Sequence, residues 1–230
     1  MTTSGTYGFN PSLGEMVLYA YNICGIRSTN VAQEHMTSAR LAANLMLSRW
    51  SNQGVNLWAV DLVTVPLVTG TSTYSVDSST VMVLDAYIET NSGAGEPIDR
   101  IIMPVSRTEY ASYPNKNQEG FPTVFWFDRL VSPTITLWPV PPSDTVYTLK
   151  YYRVRQVQDA NFVGAQNVEI PYRWLEAFAD GLAYRLAKVW SPQMAVPLKA
   201  VADESYQIAA VQDVENVNMY ISPQISGYFR

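Results

Sequence analysis

The chain has 230 residues, of which 47% are hydrophobic and only 15% are charged, and its formal net charge is −5. The charged share lies below the roughly 25% that is usual for soluble domains, and no lysine- or arginine-rich block provides the basic stripe that grips nucleic-acid phosphates. The single cysteine, Cys24, excludes an internal disulfide and a cysteine metal cluster. Low charge together with 15 Tyr and 6 Trp favours a surface that partners cover, although a large core with a quiet surface would give the same totals.

The start of the chain has the pattern of neither a secretory signal nor a membrane span. The first basic residue is Arg27, whereas a signal peptide opens with positive charge. The apolar run 16–24 is too short to cross a bilayer. The sequence therefore predicts a soluble protein that is made in the cytoplasm.

Two helices are predicted near the N-terminus. Ser12 and Glu15 form a capping-box pattern that opens a helix ending near Cys24, and this helix is apolar nearly all round, so it needs cover on every side. A second helix is predicted over residues 30–52, with one stripe that faces a partner helix. The stripe consists of Met36, Ala39, Ala43, Met46 and Trp50.

From Leu57 the hydrophobic period changes from helical to alternating, which predicts a β region. The predicted strands are 60–68, 72–76, 80–90, 97–102, 122–128, 134–138 and 145–155. A second capping-box pattern, Ser106 with Glu109, opens a short helix within this region.

Helices return at the C-terminal end. Pro171 precedes a predicted helix over 172–190, and Gly181 inside it indicates a close helix crossing, because glycine costs about 1 kcal/mol relative to alanine in a helix. A last helix is predicted over 197–217, followed by a tail without helical periodicity.

This order of elements predicts an α+β fold, in which a bundle of N- and C-terminal helices carries an inserted antiparallel β domain and an extended C-terminal tail. The predicted units are residues 1–56 and 170–217 for the helices, 57–169 for the β domain, and 218–230 for the tail.

Residues for catalysis are scarce. His35 is the only histidine, and neither a glycine-rich elbow nor an activated cysteine accompanies it, so we predict a packed or surface histidine. Cys24 is predicted as a small buried hydrophobic residue. No calcium-loop spacing or phosphate-binding loop occurs, and the sequence predicts no catalytic, metal or cofactor site. A hydrolytic pair of carboxylates stays open, because spacing along the chain does not give spatial separation.

One stretch combines prolines with aromatic residues, from "FPTVFWFDR" to "PTITLWPVPPSD". Proline lacks a backbone donor, which places these residues at sheet edges and corners. Three interpretations are open: a hydrophobic sheet core, a sugar-binding face, or a protein interface. The residues concerned are Phe125, Trp126, Phe127 and Trp138.

The order of several motifs resembles the head-to-tail adaptor proteins of short-tailed bacteriophages. The most specific motifs are the helix exit "NLMLSRWSNQGVNLWAVD", the hairpin from "FPTVFWF" to "LWPVPP", and the helix "LAYRLA". The resemblance covers residues 30–190. It implies a structural virion protein at the head–tail junction, which forms a ring, commonly of twelve subunits, below the portal protein. Such a ring extends the DNA channel and docks the next tail or nozzle protein.

Read with this resemblance, two groups of residues are predicted to face partners or the channel. The first group, called the docking group, contains the aromatic residues of the hairpin and the apolar residues of the C-terminal tail. We expect the tail to become ordered on the portal or on a neighbouring subunit. The tail members of this group are Met219, Tyr220, Ile221, Ile225, Tyr228, Phe229 and Arg230. The acidic group would let DNA slide without binding, and consists of Asp203, Glu204, Asp213 and Glu215. The alternative functions are a carbohydrate-binding or host-recognition module of a phage tail, and a tail-associated hydrolase.

Overall fold

The computed structural model describes residues 3–54, 56–91, 96–143, 146–161 and 166–214. Its architecture is mixed α+β, with five α-helices and one curled seven-stranded sheet among these residues. The helices are α1 (Leu13–Ile23), α2 (Gln33–Gln53), α3 (Arg107–Ser112), α4 (Leu175–Trp190) and α5 (Pro192–Gln212). The strands are β1 (Val60–Pro66), β2 (Thr73–Ser75), β3 (Thr80–Asn91), β4 (Ile98–Pro104), β5 (Val124–Asp128), β6 (Thr134–Trp138) and β7 (Val146–Arg155).

The capping box at the start of α1 is confirmed. The Ser12 amide donates to Glu15 Oε2 at 2.8 Å, and the Glu15 amide donates to Ser12 Oγ at 3.3 Å. These bonds satisfy two of the amide donors that the first turn of a helix leaves unpaired. Part of the apolar surface of α1 stays open in the subunit, because Tyr19 is 57% exposed.

The predicted stripe of α2 packs on α4. Ala39, Ala43, Met46 and Trp50 are all buried. A Cβ atom added to Gly181 of α4 would lie only 2.6 Å from Met46 Sδ, so the glycine permits this approach. The predicted close crossing at Gly181 is therefore confirmed.

The last helix lies five residues earlier than predicted, over 192–212 instead of 197–217. Pro192 occupies its first turn, where proline needs no hydrogen-bond acceptor, and Pro197 lies inside the helix on its exposed side. The helix ends where Asp213 leaves helical geometry, at φ −97° and ψ 50°. Residues 215–217 lie outside the described residues.

The seven strands pair in the order β1-β7-β3-β4-β5-β6-β2. Every neighbouring pair is antiparallel except β4 and β5, which pair in parallel at Met103–Val124 and Pro104–Phe125. The prediction of an antiparallel β domain is wrong at this point, because the chain crosses over through α3 and returns in the same direction.

Two hydrophobic clusters form the interior. One is built mainly from α1, α2, α4 and α5, and the other lies inside the curled sheet. The helical cluster also includes Val157, Ala160 and Val168, which follow β7. The side-chain amide of Asn44 on α2 holds this segment, because it accepts from the Ala160 amide at 2.8 Å and donates to the Ala160 carbonyl at 3.0 Å.

Candidate partner-binding surfaces

The outer face of the β5–β6 hairpin carries two tryptophans that are already stacked within the chain. Trp126 stacks on Tyr110 with ring centroids 5.5 Å apart, and Trp138 stacks on Tyr113 at 4.2 Å. Trp138 Nε1 donates to the Asn115 carbonyl at 2.9 Å. Both tryptophans are partly exposed, so this cluster is a rigid aromatic surface with one face of each indole covered.

The alternation of β5 separates its three aromatic side chains. Phe125 is only 2% exposed and belongs to the sheet cluster, and Phe127 is half-buried against the same cluster. Only Trp126 points to the outer face, since neighbouring side chains of a strand point to opposite sides. Phe125 therefore has no surface that a partner can reach in this fold.

Sequence reasoning missed the tip of the same hairpin. Leu130 is 60% exposed and Val131 is 95% exposed, between Arg129 and the start of β6. They border a groove of about 540 Å³ that α2 closes on the other side with Asn44 and Ser48. An apolar pair at a turn, where polar residues are usual, was the signal for it.

The predicted acidic group divides into different environments. Asp203 and Glu204 are exposed on α5. The Asp213 side chain is only 3% exposed, pairs with Arg173, and accepts a hydrogen bond from the Leu57 amide at 3.2 Å. Asp213 therefore links the end of α5 to the segments before α4 and β1. Its buried carboxylate is not available to face a DNA channel. Glu215 lies outside the described residues.

The tail members of the docking group also lie outside the described residues. They are Met219, Tyr220, Ile221, Ile225, Tyr228, Phe229 and Arg230.

The predicted burial of Cys24 is confirmed, and of the two environments that the sequence left open for His35, the structure shows the packed one. The Ala32 amide donates to His35 Nδ1 at 3.1 Å, and the imidazole stacks on Trp190 with centroids 4.0 Å apart. Cys24 is buried, and its Sγ donates to the Ala183 carbonyl at 3.1 Å. Burial raises the pKa of the Cys24 thiol to about 11, so the nucleophilic thiolate does not form near neutral pH.

Several carboxylates of the described residues serve in ion pairs beside the sheet. Asp61 accepts from Arg153 Nε at 2.7 Å, and Glu169 accepts from Arg155 Nη1 at 2.9 Å. The Arg155 hydrogen bonds hold the pKa of Glu169 below its usual value. Within the described ranges, no three His, Cys, Asp or Glu side chains come together as ligands for a metal ion.

A groove of about 630 Å³ between α1 and α4 escaped the sequence analysis. Its rim carries three exposed aromatic side chains, Phe9, Tyr19 and Tyr172. Its carboxyl groups belong to Glu15, Glu176 and Asp180. Burial raises the pKa of Asp180, whereas hydrogen bonds from Ser12 lower the pKa of Glu15. The sequence did not reveal this site, because two segments far apart in the chain, 9–19 and 172–180, build it.

In the part of the chain that the structure describes, no helix has the length and apolar character needed to span a membrane.

The family model described as SU10 adaptor protein matches residues 29–226, a range that extends beyond residues 30–190, which the resemblance of sequence motifs covers. No curated protein matches the chain.

Proposed function

The chain belongs to the SU10 adaptor protein family, a family of structural phage proteins, and from this premise we propose that it forms a ring beneath the portal of a short-tailed phage virion. The ring, with twelve subunits in the adaptors that the sequence resembles, extends the DNA channel and docks the next tail or nozzle protein. DNA passes through without sequence-specific binding.

Exposed apolar faces on the helices are the observation that carries this proposal. Leu41 and Leu45 of α2 are 62% and 54% exposed, and Ile208 and Val211 of α5 are 61% and 69% exposed. Single exposed apolar residues are ordinary, but pairs on successive helical turns form faces that a partner can cover. Neighbouring subunits and the portal supply such cover in a ring.

Two acids on α5 fit a channel wall. Asp203 and Glu204 are exposed on a helix whose outer side carries Lys199 as its single basic residue. A negative wall repels phosphates and allows DNA to slide. We assign the channel role to these two acids and leave Asp213 out, because its side chain is buried in an ion pair.

The aromatic surface of the β5–β6 hairpin is proposed to dock the next tail component. Trp126 and Trp138 are held rigidly by Tyr110 and Tyr113, so little side-chain entropy is lost on binding. Trp126→Ala and Trp138→Ala should each weaken tail attachment while the fold is kept. Tail attachment at wild-type strength in both variants would refute the assignment.

The apolar C-terminal tail is proposed to contact the portal. Its apolar and aromatic residues between 219 and 229 suit a segment that adds to a partner surface. Deleting residues 219–230 should weaken portal binding without unfolding the domain. Unchanged portal affinity would show that the tail has another role.

Native mass spectrometry tests the ring directly. The purified protein is measured alone and after mixing with the portal protein of its phage. A fixed ring stoichiometry on the portal supports the proposal, and a monomer in the absence of portal shows that assembly is templated. A protein that ignores the portal contradicts the proposal.

A second candidate function rests on the groove between α1 and α4. Glycosidases act through two carboxyl groups in one cleft, and this groove is lined by those of Asp180 and Glu15; burial raises the pKa of Asp180, as in a general acid. Cell-wall degradation by the purified protein that Asp180→Asn abolishes would support a tail-associated hydrolase. The structural character of the family favours the adaptor role.

A further inference from the structure

We propose that adjacent subunits join by inserting the α2 ridge of one copy into the α1–α4 groove of the next. The ridge consists of Leu41 and Leu45 with the flanking Arg40 and Arg49. The groove is the one that Phe9, Tyr19 and Tyr172 border. This inference rests on the proposed ring and names the contact that builds it.

The two surfaces use different faces of α4. The groove uses Glu176, Ala179 and Asp180, which share one face of that helix. The packing of α2 uses the face of Gly181, where Met46 makes its close approach. At 100° per residue these faces point in different directions, so the ridge of a subunit cannot reach its own groove.

The ridge is convex and points away from its own subunit. The residues of α2 that pack on α4 are Ala39, Ala43, Met46 and Trp50, whereas Leu41 and Leu45 occupy the opposite side of the helix. Their exposed fractions are 62% and 54%. Leucines one helical turn apart form the usual anchor of a helix in an apolar groove.

The groove has the shape and the side chains to receive such an anchor. Tyr19 is 57% exposed, Phe9 68% and Tyr172 74%, and Met16 and Ala179 form part of its lining. Exposed aromatic side chains around a concave surface are typical of binding hot spots.

The charges of the two surfaces are complementary. The groove carries the carboxyl groups of Glu15, Glu176 and Asp180, and its single arginine, Arg173, is paired with Asp213. Arg40 and Arg49 flank the ridge and have no carboxylate within 4.0 Å among the described residues, although Arg49 also borders the pocket between α2, α4 and α5 in which Asp203 lies. Opposite charges at the rim orient the partners. Because one chain carries both complementary surfaces, we infer that the partner filling the groove is a second copy of the same chain.

Joining two different surfaces is a heterologous contact, and repetition of a heterologous contact closes a ring when the rotation allows it. Such a contact leaves one free ridge and one free groove on every open chain of subunits. It therefore allows growth until the ring closes, which a self-complementary contact does not.

Cysteine cross-linking tests this contact. A variant with Tyr19→Cys and Leu45→Cys places one thiol on each surface. The natural Cys24 is buried, so we expect it to form no cross-link. Oxidation with and without portal should give a ladder of linked subunits from the double variant. The two single variants are matched controls and should remain unlinked, because a heterologous contact never places two identical positions together.

Four outcomes are distinguished by these variants. A ladder confined to the double variant supports the contact. A double variant that assembles on the portal by native mass without a ladder overturns it, as does dimer formation by the Leu45→Cys variant alone. If the protein does not bind the portal, the ring function fails separately, and cross-linking in concentrated free solution still decides the contact by the presence or absence of the ladder.

Discussion

Gly181 sets how closely α2 and α4 approach, and a side chain at this position meets Met46. The Cβ of an alanine would lie 2.6 Å from Met46 Sδ, which is closer than such atoms pack. Alanine gains up to about 1 kcal/mol in helix propensity, but overpacking a core costs about 1–3 kcal/mol. Gly181→Ala should therefore lower the free energy of unfolding by about 1 kcal/mol, measured by urea denaturation.

A matched control is available on α1. The Cβ of Gly14→Ala would lie 4.0 Å from its nearest neighbour, so this change should be neutral or stabilising by up to about 1 kcal/mol. In a Met46→Ala background, Gly181→Ala should become stabilising, because the clash is removed. An equal cost of Gly181→Ala in both backgrounds would show that Met46 is not its cause.

Glu169 makes folding stability depend on acid pH. The hydrogen bonds from Arg155 lower the pKa of Glu169 in the folded state, although burial opposes them. A carboxyl with a lowered folded pKa contributes stability above its unfolded pKa, about 4.3, and this contribution is lost as the pH falls through the folded pKa. Glu169→Gln should therefore reduce stability at pH 7 and have less effect as the pH falls below about 4.3.

Urea denaturation of both proteins at a series of pH values measures this difference. Arg155→Met serves as the control from the other partner, because it removes the cation that lowers the pKa of Glu169. Arg155→Met should also weaken the dependence of the free energy of unfolding on pH in the acid range. A Glu169→Gln difference that stays constant from pH 7 to pH 3 would contradict the role of ionisation.

At the scale of single residues, the sequence predicted what depends on local chemistry. The capping box at Ser12 and the buried Cys24 were recognisable, because residue type and position along a helix decide them, whereas the sequence left His35 either packed or on the surface. The role of Asp213 was not recognisable. Its hydrogen-bond partner Leu57 lies 156 positions away in the chain, and only the fold brings them together.

Among the elements, α5 contains a proline whose effect is measurable. Pro197 removes one backbone donor inside the helix, whereas Pro192 occupies the first turn, where that donor has no acceptor. A proline in a helix interior costs about 3 kcal/mol relative to alanine. Pro197→Ala should therefore stabilise the protein by about 1–3 kcal/mol, and Pro192→Ala should change its stability little.

Thermal unfolding of the two proline variants provides the comparison. Equal midpoints for Pro197→Ala and Pro192→Ala would show that α5 is already relaxed around Pro197. The two prolines also account for the error in the predicted start of this helix. A proline is compatible with either a helix start or a tolerated interior position, and the packing of Leu198, Ala202 and Ala209 decides between them.

Element types were predictable from hydrophobic periodicity, but strand pairing was not. The alternating runs located all seven strands to within a few residues. The parallel pairing of β4 with β5 depends on how α3 crosses the sheet, which periodicity does not record. The same limit applies to the aromatic hairpin, where stacking of Trp126 on Tyr110 and of Trp138 on Tyr113 needs the tertiary fold.

At the scale of the whole molecule, candidate partner surfaces arise where distant segments meet. The groove between α1 and α4 combines residues near positions 9, 19 and 172, and no local pattern brings these together. The leucines of the α2 ridge lie outside the predicted stripe, but they can be interpreted as a subunit contact only once the complementary groove is known. Family membership supplied the functional class, and the described side chains supplied the candidate contacts.

The proposed channel role of α5 yields a prediction for DNA release. Asp203 and Glu204 are exposed, so Asp203→Lys with Glu204→Lys should leave the folding stability nearly unchanged. In an assembled ring these lysines would bind DNA phosphates, and DNA release from virions triggered in vitro should slow at low salt. Raising the salt concentration should restore the wild-type rate, because phosphate contacts weaken as salt rises.

Glu96→Lys with Asp99→Lys is the matched control, because it makes the same charge change at two exposed positions at and just before the start of β4. It should release DNA at the wild-type rate at every salt concentration. If the α5 variant assembles fully and also releases DNA at the wild-type rate in low salt, Asp203 and Glu204 do not face the channel. A salt-dependent delay confined to the α5 variant identifies this helix as part of the channel wall, since only a surface that meets the moving DNA can hold its phosphates.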